Sequence, residues 1–353
     1  MRTVHVVVPE GIDDPGRQSG GNTYDRRICR GLASMGWSVQ ERAVAGRWPC
    51  PDASSRAGLT DVLSEVPDGN VVLIDGLIAS TVPDVLVPQA NRLRLVVLVH
   101  MPLGNRLSAD DDAGEREREV LEAAVATVTT SSWTRGWLLD RYALTPGSVH
   151  VAEPGVDPAD LAAGTTAGGD LLCVAAVTPT KGHDVLLAAL ATVTDLPWRC
   201  VCVGSLDRDP AFVDGLHEQV RDSGLGHRVR FVGSRTGADL DAAYAAADAL
   251  VLASCAETYG MVVTEALARG LPVVTTTAGG LPEALGRGAD GIRPGLLVPP
   301  GDSGAFAAAL RRWLDDVGLR RRLRHAAGER RATLLGWATT TERISRVLTE
   351  AAA

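Results

Sequence analysis

The sequence predicts an α/β protein built from two parallel-sheet domains. The chain has 353 residues, more than one hydrophobic core usually serves. Short valine-rich runs recur along it between glycine or polar turns, the pattern of strands buried on both faces. Helix-like periodic segments separate these runs, and such alternation builds βαβ units.

The first series of strand candidates is VHVVVP (4–9), NVVLIDG (70–76), LRLVVLVH (93–100), ATVTTSS (126–132) and SVHVAEP (148–154). The second is DLLCVAAV (170–177), WRCVCVGS (198–205), RVRFVGS (228–234), DALVLAS (248–254), LPVVTTT (271–277) and GLLVPPG (295–301). Helical periodicity is clearest in 184–193, 238–247 and 260–270. The stretch AAGTTAGGD (162–170) is small and glycine-rich, a linker by composition, so the domains are expected at 1–163 and 168–335. Ligands of open α/β sheets bind beyond the carboxyl ends of the strands, and two such domains facing each other would enclose a central cleft.

Composition excludes several classes. No run approaches the ~20 apolar residues of a membrane span. The apolar start, residues 1–9, is too short for a signal-peptide core and lacks a small-residue cleavage site, so a cytoplasmic protein is expected. A formal net charge of −8 leaves no electrostatic footprint for nucleic acid. Cys29, Cys50, Cys173, Cys200, Cys202 and Cys255 form no C-x-x-C pair, and most sit in apolar runs; buried free thiols are expected, without disulfide or zinc.

The chemistry concentrates in SCAETYGMVVTEALARGLPVV (254–274). A strand should end near Ser254 and a helix begin near Tyr259 or Gly260, ending at Gly270 before Pro272. The helix start would then present unpaired N–H groups and roughly half a positive charge beyond a strand's carboxyl end, a site for an anion. Gly260 lets a ligand approach the backbone. Glu257 precedes the helix and Glu265 lies just inside it, its side chain leaning back toward the anion. A carboxylate there repels phosphate but accepts hydrogen bonds from hydroxyls, so a ribose diol beside a diphosphate fits the layout. Lys181 is the one lysine among 35 Lys and Arg residues, and it falls in the loop after the domain's first strand, at the same edge. A compact ammonium suits phosphate there better than arginine's rigid fork.

These residues resemble the donor half of glycosyltransferase family 4, retaining enzymes of the GT-B fold. The resemblance rests on FVGSRTGADLDAAYAAADALVLASCAETYGMVVTEALARGLPVVTTTAGGLPEAL (231–285), with Glu257 followed eight residues later by Glu265. VTPTKGHDVLLAAL, GLLVPPGDSGAFAAAL and VHVAEPGVDPADL resemble three further family segments, so the likeness covers most of the chain from about residue 126. It implies two Rossmann-like domains, acceptor-binding then donor-binding, with the final segment 336–353 packed back on the first. It also implies that Lys181 binds the donor diphosphate, Glu265 the ribose hydroxyls and Glu257 the transferred sugar. The amides of Tyr259, Gly260 and Met261, flanked by Thr258 and Val262, would meet phosphate and sugar oxygens, and Gly233 and Ser234 would line the nucleobase pocket. Family members commonly carry an arginine where this chain has Ala176. Loss of one charge-assisted contact costs roughly 1.5–3 kcal/mol, and Arg17 or Arg235 are candidates to replace it.

In the first domain, Gly20 and Gly21 precede a helix expected to start near Asn22; the family uses such a glycine pair against the donor phosphates. The spacing Gly16, Gly20, Gly21 lacks the G-x-G-x-x-G fingerprint, which counts against an NAD enzyme. His100 ends a buried-looking strand where the family often places a histidine near the transferred sugar. Asp207 and Asp209 have D-x-D spacing, but a helix follows, so capping is the expected role. Asp110, Asp111 and Asp112 read as a solvated loop. No metal is expected, because a helix N-terminus and a lysine can stabilise a leaving diphosphate.

Residues 1–165 hold 15 basic and 22 acidic side chains, and the remainder 20 and 21. Family members acting on anionic lipids need a basic docking surface; an acidic first domain points instead to a small soluble acceptor and no membrane partner. The arginine-rich, lysine-poor composition fits a GC-rich bacterium such as an actinobacterium, where the resemblance implies natural-product chemistry on a hydroxylated or nucleobase-like metabolite. The expected reaction is sugar transfer with retention from a UDP-sugar such as UDP-GlcNAc or UDP-glucose, or second from GDP-mannose, the cleft closing to exclude water. No cofactor beyond this co-substrate is expected. A sugar-nucleotide epimerase or hydrolase on the same scaffold, or a non-catalytic nucleotide-binding protein, are the alternatives.

Overall fold

The valine-rich runs become strands, and one strand arises where no such run exists. The structure, a computed structural model, describes residues 2–14, 19–105 and 112–353. Gly16, Arg17, Asp110 and Asp111 lie outside the described residues. The first sheet contains β1 (Thr3–Pro9), β2 (Ser38–Val44), β3 (Val71–Asp75), β4 (Arg94–Val99), β5 (Ala126–Thr129) and β6 (Val149–Val151), in the order β2-β1-β3-β4-β5-β6. The second contains β7 (Asp170–Val174), β8 (Arg199–Val203), β9 (Val229–Phe231), β10 (Ala249–Leu252), β11 (Val273–Thr276) and β12 (Gly295–Val298), in the order β12-β11-β10-β7-β8-β9. Neighbouring strands pair in parallel throughout.

The strand the sequence pattern missed is β2, SVQERAV. It is an edge strand, mostly exposed, held by its ladder to β1 from Thr3↔Ser38 to Pro9↔Val44. An edge strand needs no continuous apolar run, and charges such as Glu41 and Arg42 discourage further pairing.

In the first sheet, period-two alternation sorts side chains onto two faces. Val4, Val6 and Val8 join Val71, Leu73, Val96 and Leu98 on one face, covered by the helices Gly20–Ser34 and Trp337–Ala351. Val7, Val72, Ile74, Leu95 and Val97 face the other way, toward Leu59, Leu63, Val120 and Leu138. The second sheet is enclosed by one continuous core that includes Leu186, Val263, Leu267, Phe306 and Trp313.

The chain divides into two compact units, Met1–Gly155 with Leu335–Ala353, and Val156–Leu334. The last helix belongs to the first unit: the Trp37 indole N–H donates to Ser345 Oγ at 2.9 Å, and Thr340 Oγ1 donates to the Glu153 carbonyl at 2.8 Å. The glycine-rich stretch 162–170 lies inside the second unit. It is tied to the buried Asp248 carboxylate, which accepts from Thr165 Oγ1 at 2.6 Å, the Asp170 amide at 3.0 Å and Arg324 Nη2 at 2.6 Å. All six cysteines are free; four are buried as expected, whereas Cys50 and Cys255 are exposed because each lies in a loop beyond an apolar run.

The helix pair of the first unit yields a test in which one substitution has opposite signs. A Cβ on Gly31 would lie 2.3 Å from Thr341 Oγ1, whereas one on Gly58, inside the helix Ala53–Ser64, would meet nothing within 4 Å. Gly31→Ala is expected to destabilise by about 1–3 kcal/mol through overpacking. Gly58→Ala is expected to stabilise by about 0.5–1 kcal/mol, the helix-propensity difference. Denaturant melts of the two variants beside the parent decide the matter.

Candidate functional site

The order of the second sheet turns at β7. From it, β8 and β9 extend to one side, and β10, β11 and β12 to the other. The boundary between β7 and β10 is therefore the topological switch point, where loops diverge and leave a crevice beyond the carboxyl ends. After β7 the chain makes a 3-10 turn, Pro179–Lys181, and enters the helix His183–Ala191 through Gly182 at φ +66°. A Cβ on Gly182 would sit 2.1 Å from the Ala253 carbonyl oxygen, so the loop can press against the end of β10 only as glycine. The Cys255 amide donates to the Thr180 carbonyl at 2.9 Å, joining the two loops. This delivers Lys181 to the loop after β10, where its ammonium donates to Glu257 Oε2 at 2.5 Å. The lysine and the first glutamate are thus an ion pair, which the sequence did not foretell.

Glu257 is carried by a loop whose backbone rests on two glycines. A Cβ on Gly279, at φ +53°, would lie 1.7 Å from the Glu257 carbonyl oxygen, and one on Gly280 would lie 2.1 Å from that of Thr258. The Gly280 amide donates to the Glu257 carbonyl at 3.0 Å. Tyr259 is buried, and burial pushes its hydroxyl up to about 12. Gly260, at φ +97°, opens the helix Met261–Ala268, which has no side-chain cap; in its first turn the Val263 amide donates to the Gly260 carbonyl at 2.9 Å. The helix begins at Met261 and ends at Ala268, within the span the sequence predicted. Met261 and Val262 are half-buried in its first turn.

Glu265 sits one turn further on. Its Oε2 accepts from the hydroxyl of the buried Tyr244 at 2.8 Å. Burial pushes the Glu265 carboxyl up, while the Tyr244 hydroxyl and the Arg269 guanidinium oppose that rise. Arg269 in turn lies over the Tyr244 ring, 4.4 Å from its centroid, and pairs with Asp241. The Gly233 carbonyl accepts from the Gly204 amide at 3.0 Å; Ser234 and Arg235 are exposed beside it. Ala176 is half-buried in the loop after β7. Below this loop, Cys173, His183 and Cys202 place two thiols and an imidazole within 4.8 Å of one another, close enough for a soft cation. Contact with Cys202 and burial instead keep the Cys173 thiol protonated, well above its usual range.

In the first unit, the helix begins at Gly20, two residues before the expected start, because Ser19 caps it: Ser19 Oγ accepts from the Asn22 amide at 3.1 Å. Gly20 and Gly21 therefore form its first turn. A Cβ on Gly21 would lie 3.2 Å from His100 Cδ2, so the glycine lets the helix close on that ring. His100 Nε2 stands 2.7 Å from Asp25 Oδ1, and Asp75 lies within 4.8 Å of both. Sequence reasoning missed Asp25 and Asp75. Asp25 shares a helical stripe with the buried Tyr24, Ile28, Cys29 and Leu32, and a carboxylate on that stripe was the available signal. Asp209 caps the helix Pro210–Asp222 by accepting from the Phe212 amide at 3.1 Å, the role expected of it.

Residues 168–316 match the family of Glycosyl transferases group 1. The chain is 36% identical over 267 residues to the D-inositol 3-phosphate glycosyltransferase of Kineococcus radiotolerans, covering 67% of this chain and 61% of that protein. It is 30% identical over 285 residues to the enzyme of that name from Corynebacterium diphtheriae, covering 76% and 65%. The chain spans about three-fifths of the length of these curated relatives. Among solved structures, the sucrose-phosphate synthase of Thermosynechococcus elongatus superposes with a TM-score of 0.80 at 22% identity, over 99% of both chains. Anabaena HepE in complex with UDP-glucose does so at 0.77 and 19%, over 99% of this chain and 100% of that one. These likenesses show the fold: it is GT-B, two Rossmann-like parallel-sheet domains, as the sequence led one to expect.

The Tyr244–Glu265 bond supports a pH test. The phenol stabilises the ionised carboxyl, so its removal matters more where Glu265 is charged. A carboxyl raised by folding contributes stability that is present at low pH and lost as pH rises; Tyr244→Phe steepens that loss. The variant is expected to differ little from the parent at pH 4 and to be destabilised by about 1.5–3 kcal/mol at pH 8, the scale of a hydrogen bond to a charged group. Equal destabilisation at both pH values would show that Glu265 does not titrate between them.

Proposed function

We propose that the chain is a retaining, metal-independent glycosyltransferase that moves a sugar from a nucleoside diphosphate sugar to a small hydroxylated acceptor. The observation that carries this reading is the convergence, at one switch point, of the only lysine, the uncapped helix start at Gly260–Met261 and the carboxylate of Glu257. A diphosphate brings negative charge to the ammonium and the amides, both of which can stabilise it as a leaving group. In this reading Glu257 faces the transferred sugar, and Glu265, held by Tyr244, accepts from the ribose diol. Thr258, Tyr259, Gly260, Met261 and Val262 surround the phosphates, and Gly233 and Ser234 the base. Gly20, Gly21 and His100 are assigned to donor phosphate and sugar contacts on the family likeness. The acceptor attacks from the leaving group's own face, and the departing phosphate takes its proton.

UDP-sugars are favoured as donors over GDP-mannose, in keeping with the UDP-glucose bound by the HepE neighbour. The relatives named for D-inositol 3-phosphate support a small polyol acceptor. A second reading, a nucleotide-binding protein without turnover, is favoured by Ala176 and by the engagement of Lys181 with Glu257.

Thermal shifts with UDP, GDP, ADP, dTDP and NAD on the parent and on Lys181→Ala test the site. One nucleoside diphosphate is expected to stabilise the parent, and the variant to lose most of that shift; NAD should give none. An equal shift in the variant removes Lys181 from the phosphate site. Nucleotide release from the matching sugar nucleotide, with and without polyol acceptors, then separates transferase from hydrolase and from a non-catalytic binder.

A further inference from the structure

We propose that Asp25 is a positioning residue that holds His100 as an imidazolium, so that His100 donates a hydrogen bond to a ligand oxygen and does not serve as a proton acceptor. Three residues of the helix Gly20–Ser34 fix the ring. Gly21 admits it, Tyr24 meets it edge-on with centroids 5.2 Å apart, and Asp25 bonds Nε2 at 2.7 Å. The imidazole keeps 18% of its side-chain surface exposed while Asp25 keeps 3%, so the aspartate is reached only through the histidine.

The charges balance in one arrangement. Asp25 Oδ2 is buried without a donor of its own. The nearby Asp75 already accepts from the Leu77 amide at 2.7 Å through Oδ1, and a proton on its carboxyl is the group that can satisfy its neighbour. Burial, then the Asp25 charge, pushes the Asp75 carboxyl up to about 7, so it holds that proton below neutral pH. Below that pH, imidazolium, carboxylate and neutral acid sum to zero, and a neutral cluster avoids the cost of an unpaired buried charge; above it, the Asp75 charge adds to the pull on the imidazolium. Burial alone would discharge His100; the Asp25 carboxylate, with a smaller contribution from Asp75, overrides it and pushes the imidazole up to about 9. Among the described residues, the titratable groups facing His100 are Asp25 and Tyr24 from the helix and Asp75 from the end of β3. Tyr24 donates its hydroxyl to the Ala152 carbonyl at 2.8 Å, and burial holds it un-ionised.

The same contact could instead orient a neutral histidine as a base, as carboxylates do in acyl-transfer triads. Proton count separates the two. An imidazolium with both nitrogens protonated has no lone pair to offer, so the acceptor's proton must leave by another route; the departing phosphate supplies one. This part rests on the proposed transfer reaction, whereas the charge state of His100 does not.

The test is a proton NMR titration of the seven histidines, with His100 assigned through His100→Gln. His100 is expected to keep its proton to about pH 9 in the parent. In Asp25→Asn it should titrate well below the parent, since burial is then opposed only by Asp75. In Asp75→Asn it should fall less than in Asp25→Asn, because Asp25 supplies the larger charge and the hydrogen bond, and this variant controls for folding. An ordinary titration in the parent, or one unmoved in Asp25→Asn, overturns the proposal. With a working donor, the parent rate should hold between pH 7 and 8 and fall as His100 loses its proton. Asp25→Asn should lower kcat more than the donor KM and move that fall to lower pH. A rate that rises as His100 deprotonates would make it a base and sink the donor role. Absence of turnover with every donor counts against the transfer reaction, and the titration still decides the charge state.

Discussion

Backbone packed directly on backbone, with no room for a side chain, is the constraint on which the second unit's site depends. Gly182 lets the loop after β7 touch the Ala253 carbonyl, and Gly279 and Gly280 let the chain after β11 support residues 257 and 258. These contacts fix where the loops end before any side chain is considered. They place an ammonium, a carboxylate and an uncapped helix start at the point where the strand order turns. A Cβ at any of the three positions would force the loops apart by an ångström or more, and the side chains they carry would no longer meet. Glycine acts here less through flexibility than through absence of volume.

Much of the fold was legible because parallel strands buried on both faces leave an apolar trace that helices and turns interrupt. Each of the eleven runs marked by that trace is a strand. The exception, β2, shows the limit of the signal: its ladder to β1 is formed by backbone groups, which every sequence carries, and its side chains face solvent. The placement of the last helix on the first unit left no trace in periodicity either. It depends on a close approach of Gly31 to Thr341, residues more than 300 positions apart in a 353-residue chain.

The candidate site was legible unevenly for a related reason. Lys181, Glu257, Gly260 and Glu265 stood out because rarity or local spacing marked them. Their partners did not: Tyr244 lies on another helix, Asp25 lies inside the first helix and Asp75 at the end of β3, far apart in sequence, and Gly279 acts on a residue 22 positions earlier. A side chain that touches a ligand is constrained by chemistry that can be read at one position. A side chain that holds another in place is constrained by a pair, and a pair separated in sequence becomes visible only in three dimensions.

The two clusters share a further property. Lys181 with Glu257, and His100 with Asp25, each pair a cation with a carboxylate. For His100, burial disfavours the imidazolium and the Asp25 carboxylate is the main partner that keeps it charged. For Lys181 the ion pair bears on the proposed diphosphate site. A diphosphate carries more charge than one carboxylate and can draw the ammonium toward it, aided by the amides at Met261. Glu257 would then be released with its acceptor oxygens unpaired, beside the sugar that the phosphate brings, and hydroxyls are the donors able to satisfy them. The Lys181–Glu257 ion pair is therefore compatible with the proposed phosphate site, because a sugar nucleotide would supply both the charge to displace the carboxylate and the hydroxyls to occupy it afterwards.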